Sequence, residues 1–133
     1  MTKPIITIFC DGSYSLKTGM GSYGAVIICN NRHSGLAGTS VESPTTSQRM
    51  EIWAAIHALE ALPEPSKVYL YSDSRYLVRG AQKEPNPNKA NYDLWCKLAA
   101  VASRHKVTYS WIRGHNGNPY QEGADRLANE IRQ

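Results

Sequence analysis

With 133 residues, 41% of them hydrophobic, the chain can enclose one core but not several, so a single domain spanning residues 1–133 is expected. Lys and Arg number 15 against 11 Asp and Glu, a formal charge of +4 that leans toward polyanionic partners. Cys10, Cys29 and Cys96 lie far apart without CxxC spacing, which argues against a thiolate metal site or a disulfide framework and fits a reducing cytosol.

The N-terminal apolar stretch, Pro4 to Cys10, reads as a buried strand and is too short for a signal h-region or a membrane span, so a cytoplasmic protein with no membrane partner is expected. Its initiating methionine and compact ends suggest a free-standing chain, and a monomer is expected. Gly21 to Cys29 and His33 to Val41 read as further strands joined by an Asn30-Asn31 hairpin turn. The period then changes. Ile52, Ala55, Ile56 and Leu59 recur at helical spacing after Thr45, Thr46 and Ser47 as capping candidates, and Pro63 ends the run. Val68 to Ser72 is a short strand, followed by a brief helix from about Ser74 to Ala81. The connector Lys83 to Lys89 is rich in Pro and Asn and reads as a surface loop. Leu94, Leu98, Val101 and Ala102 mark a helix, Val107 to Ile112 a strand, and Ala124, Leu127, Ala128 and Ile131 a final helix. The resulting order, β-β-β-α-β-α-α-β-α, is that of an α/β fold with partly parallel pairing.

Four acids stand at the junctions of these elements. Asp11 follows the first strand in Asp11-Gly12-Ser13, where a glycine admits a close backbone approach and a hydroxyl can bond a phosphate or sugar; taken alone, the tripeptide favours a plain turn after a strand. Glu51 lies at the edge of the first helix's apolar stripe, either as a ligand or as a surface glutamate paired with Arg49. Asp73 in Ser72-Asp73-Ser74 follows the fourth strand and suits helix capping as well as cation binding. Asp125 sits beside the stripe of the last helix, where Arg126 could balance it, after the Gly- and Asn-rich loop that carries His115. Ligands by oxygen alone select hard cations such as Mg²⁺, with Mn²⁺ as a substitute, and four carboxylates are what a two-magnesium nuclease needs.

Asp11-Gly12-Ser13, Arg49-Met50-Glu51, Ser72-Asp73-Ser74 and the string GHNGNPYQEGADRLA from Gly114 to Ala128 resemble type 1 ribonuclease H, in the family's order and over about Ile5 to Ile131. The resemblance implies a five-stranded mixed sheet flanked by helices, with the third strand at an edge and the first central. It implies an endonuclease that hydrolyses the RNA strand of an RNA/DNA hybrid and leaves 5′-phosphate and 3′-hydroxyl ends. By the same likeness Asp11 would bridge two Mg²⁺ ions, Asp125 would complete one site, Glu51 and Asp73 the other, and His115 would assist proton transfer or product departure. Gly12, Ser13, Thr46, Ser47, Gln48 and Arg75 fall where the family contacts the hybrid.

The chain departs from the familiar bacterial pattern in three places. Ser47-Gln48 replaces a frequent Asn-Asn pair, Lys17-Thr18 a frequent Asn-Pro, and the long basic protrusion shrinks to the connector with Lys83 and Lys89. Two rival readings are a non-catalytic hybrid-binding module and another nuclease of the same fold, such as a junction resolvase or transposase-like enzyme.

Overall fold

Alternation along the first strand decides the layering. In the computed structural model, which describes residues 3–114 and 117–131, β1 (Ile5–Tyr14) sends Ile6, Ile8 and Cys10 to one face and Phe9 to the other. The first set joins a core with Ile52, Ile56 and Leu59 of α1 (Ser47–Glu60) and Leu94 and Leu98 of α3 (Tyr92–Ala102). Phe9 instead stacks on Tyr120 of α4 (Pro119–Glu130), with ring centroids 5.4 Å apart. Helices therefore cover both faces of the sheet. Each fully buried Ile or Leu in the core contributes about 2 kcal/mol.

The sheet runs β3-β2-β1-β4-β5, formed by β1, β2 (Gly21–Cys29), β3 (Arg32–Thr39), β4 (Lys67–Ser72) and β5 (Lys106–Trp111). β1 to β3 form an antiparallel meander, and β4 and β5 run parallel to β1 through the crossovers of α1 and of α2 (Arg75–Ala81) with α3. The expected architecture, with the first strand central and the third at an edge, is the observed one. Asn30 and Asn31 take φ of 51° and 66°, the left-handed pair that a two-residue hairpin requires. Thr46 caps α1 by accepting from the Arg49 amide at 3.1 Å, and Asn118 caps α4 just ahead of Pro119.

Some expected boundaries differ. β1 does not stop at Cys10: it continues to Tyr14 because β2 keeps pairing with it, Asp11 opposite Gly24 and Ser13 opposite Ser22. Asp11-Gly12 is therefore strand and not a turn. β3 ends at Thr39, leaving Val41 fully exposed, and Ile131 lies just past α4 at 44% exposure, so neither packs as its hydrophobicity suggested. Ala124 and Ala128 form the buried stripe of α4, joined by Gln121, whose amide donates to the Cys10 carbonyl at 3.0 Å. No helix among the described residues is long and apolar enough to cross a membrane.

Candidate active site

β1 and β4 pair in parallel only as far as Phe9 with Tyr71. Two residues beyond that last pair stand Asp11 on β1 and Asp73 after β4, so the register carries both acids to the same edge of the opening between the strands. Ligands of open α/β sheets bind at this carboxyl end. Glycines let the helices close in on it. A Cβ on Gly12 would lie 2.3 Å from the Glu51 amide nitrogen, and one on Gly24, opposite Asp11, would lie 2.5 Å from the Ala124 carbonyl oxygen. The close approach at Gly12 is thus made by α1 itself, which sets Glu51 beside β1. The approach at Gly24 brings in α4, with Asp125 next to Ala124. On the far side, a Cβ on Gly114 would come within 2.5 Å of the Asp73 carboxylate, so the backbone at Gly114 runs against that acid. His115 itself lies outside the described residues.

Asp11 feels the other three carboxylates. Burial pushes the Asp11 carboxyl up to about 9 from an ordinary 3.8, helped by the charge of Asp73, a hydrogen bond with Asp125 and the charges of Asp125 and Glu51. Burial also raises Glu51, while a hydrogen bond from the Ser74 hydroxyl pulls it back and the Asp73 charge raises it again. The Cys10 thiol, buried beneath the group, is pushed up by burial and by three of these acids. Among the described residues no three His, Cys, Asp or Glu side chains are gathered tightly enough to hold a cation as they stand. The donor set nevertheless suits a hard divalent ion: oxygen ligands only, in a sheltered pocket with mutual repulsion that a cation would relieve.

The remaining predicted residues surround this group. Ser74, not Asp73, caps α2: its Oγ accepts from the Leu77 amide at 3.1 Å. Thr46, Ser47 and Gln48 are exposed in the cap and first turn of α1, within five residues of Glu51 along the helix start. Arg75 is exposed at the start of α2 with its guanidinium 4.2 Å from the centre of the Trp111 ring, and the Trp111 indole N–H donates to the Asp73 carbonyl at 2.9 Å. Ser13 points to the α4 side, donating to Asn129 Oδ1 at 3.0 Å. Sequence reasoning overlooked Ser74, Trp111 and Asn129. Ser74 was visible as the second serine of Ser72-Asp73-Ser74, and Asn129 as the residue one helical turn past Asp125; for Trp111 only the fold supplies the link.

A hollow of about 610 Å³ lies elsewhere, between α2 and α3, lined by Arg79, Lys83, Lys89 and Glu84 with Tyr76 and Trp95, and with none of the four acids in its wall.

A family model described as RNase H matches residues 3–133. The chain is 42% identical over 139 residues to the ribonuclease H of Moorella thermoacetica, covering 92% of this chain and 88% of that one. It is 40% identical over 136 residues to the ribonuclease H of Cupriavidus metallidurans, with 93% and 92% covered, and 39% identical to the ribonuclease HI of Caulobacter vibrioides, with 96% and 92% covered. Among solved structures, LC9-RNase H1, a type 1 RNase H with the type 2 active-site motif, superposes with a TM-score of 0.81 at 22% identity, over 98% of this chain and 72% of that one. The N-terminal RNase H domain of a Mycobacterium tuberculosis protein, solved as a fusion with maltose-binding protein, gives 0.74 at 23% identity, over 96% and 93%. At those identities the structural likeness speaks for the fold alone.

Proposed function

Because this chain belongs to the ribonuclease H family, a family of endoribonucleases, we propose that it cuts the RNA strand of RNA/DNA hybrids with two divalent cations, leaving 5′-phosphate and 3′-hydroxyl ends. The observation that carries this reading is the convergence of Asp11, Glu51, Asp73 and Asp125 at the open end of β1 and β4, with Asp11 raised to about 9 by burial and by its three acidic neighbours. Like charges gathered this way cost folding energy that an external cation offsets.

In this reading Asp11, Glu51, Asp73 and Asp125 would hold the two Mg²⁺ ions, Asp11 toward both, Asp125 toward one and Glu51 with Asp73 toward the other. When bound, the ions supply Lewis acidity, making a water nucleophilic near neutral pH and offsetting charge on the departing 3′ oxygen. Ser74 steadies the Glu51 carboxylate through its hydroxyl, and Trp111 steadies the Asp73 backbone through its indole. His115, next in sequence to Gly114, moves a proton at the departing oxygen or helps the product leave. Gly12, Thr46, Ser47 and Gln48 border the path of the RNA, where 2′-hydroxyls distinguish it from DNA. Arg75 meets a phosphate. The basic hollow beside α2 holds the hybrid's backbone in place of a long protrusion, so affinity should fall steeply with salt.

The test incubates a labelled RNA/DNA hybrid, an RNA duplex and a DNA duplex with the protein, with Mg²⁺ or with chelator, beside Asp11→Asn. Only the hybrid's RNA strand should be cut, only with metal, and the variant should be inactive. Comparable cutting of a control duplex would point to another nuclease activity, hybrid cutting in chelator would remove the cations from the mechanism, and binding without cutting would leave a recognition module.

A further inference from the structure

Asp125 and Asn129 stand one turn apart on α4 and so project from the same side of the helix. The Asn129 amide nitrogen donates to Asp125 Oδ1 at 3.1 Å and to the Asp125 carbonyl at 2.8 Å. Both of those oxygens only accept, which fixes the NH₂ end of the amide toward Asp125 and its oxygen toward β1. There the oxygen takes the Ser13 hydroxyl at 3.0 Å. Ser13 lies two residues beyond Asp11 on the same strand, hence on the same face of the sheet. Asp125, Asn129 and Ser13 therefore form a continuous hydrogen-bonded link from α4 to β1, ending two residues from Asp11.

We propose that Asn129 is a positioning residue that sets the Asp125 carboxylate for its cation, and that Ser13 acts by holding Asn129 and not by touching the hybrid. The inference rests on the reading of the four acids as cation ligands. An amide is suited to this duty because it orients an anion without neutralising it; a Lys or Arg at the same place would compete with the cation for the charge. One oxygen of Asp125 is held by the amide, which restrains the rotation of the carboxylate.

The experiment measures Mg²⁺ affinity by isothermal titration calorimetry on the full chain, with melting temperature in chelator recorded in parallel, for Asn129→Leu, Ser13→Ala and the double variant. Asn129→Leu should weaken Mg²⁺ binding about tenfold, Ser13→Ala about threefold, and the double variant no more than Asn129→Leu alone, because the serine acts through the asparagine. A merely structural role would lower the melting temperature and leave the affinity at its wild-type value, which would overturn the proposal, as would additive losses in the double variant. Should Asn129→Leu not fold, Ser13→Ala decides, since unchanged affinity there overturns the proposal as well. If the unaltered protein binds no Mg²⁺, the cation reading falls with it; if it binds and the variants match it, only the role of Asn129 falls.

Discussion

Arg49 and Glu51 stand two residues apart at the start of α1 and enter charged clusters of opposite design. Arg49 spends its guanidinium on Glu42, at 2.6 and 2.9 Å, on Asp93, at 2.8 and 3.0 Å, and on Asn91 at 3.2 Å, tying the loop before α1 to the start of α3. Hydrogen bonds from Arg49 hold both carboxylates below their ordinary range and push the guanidinium up. Glu51 joins three other acids, and there burial and like charge push Asp11 upward. In one cluster an arginine holds the carboxylates low, and in the other carboxylates raise one another. Stability explains the first and costs the second, which is what separates a structural charge network from a functional one.

Their pH dependences run in opposite directions. Asp11 is raised from 3.8 to about 9, so the folded state favours its proton: that contribution is complete below about 3.8 and is lost as pH climbs through about 9. Glu42 and Asp93 are lowered, so their contribution is present above their ordinary values and is lost as pH falls through the folded ones.

Four substitutions sharpen the contrast. Asp11→Asn should have the largest effect, removing about 4 kcal/mol of transition-state stabilisation, or roughly a thousandfold in turnover of a labelled hybrid, while raising the melting temperature in chelator at pH 8. A loss of both activity and stability would mean that the acid is not repelled by its neighbours. Gly12→Ala should cost about 3 kcal/mol in urea unfolding, since its methyl meets the backbone of Met50 and Glu51 and forces α1 away from β1. Arg49→Leu should cost about 2 kcal/mol through stranded charged hydrogen-bond partners, with the requirement for metal unchanged. If it altered the metal requirement, the two clusters would be one. Ser74→Ala should cost about 1 kcal/mol as a lost helix cap, and should also lower hybrid turnover about tenfold because Glu51 loses its donor. A stability loss with unchanged turnover would confine Ser74 to capping.

Much of the fold was legible because periods of two and 3.6 mark its elements clearly: the Ile52 to Leu59 stripe, the Asn30-Asn31 hairpin and the element order all match the structure. Boundaries set by pairing were not. β1 runs on through Asp11 because β2 offers partners, and nothing in Asp11-Gly12-Ser13 read alone distinguishes a strand that continues from a turn. Ile131 looked like stripe but lies past the helix, exposed. At the site, the acids were visible as residues at element ends, yet their grouping depends on glycines that admit backbone, Gly12 to α1 and Gly24 to α4, and those contacts are distant in sequence. Helpers such as Ser74 and Trp111 carry ordinary side chains whose duty appears only with their partners, the Glu51 carboxylate and the Asp73 carbonyl.

The most direct test compares melting temperatures of the unaltered chain and of Asp11→Asn at pH 8, each in chelator and in excess Mg²⁺. Cation binding at a hundred times the dissociation constant adds about 2.7 kcal/mol to the folded state, so Mg²⁺ should raise the unaltered chain by several degrees and leave Asp11→Asn nearly unmoved. An equal rise in both proteins, or none in either, would contradict the claim that this acidic cluster is built to receive a cation.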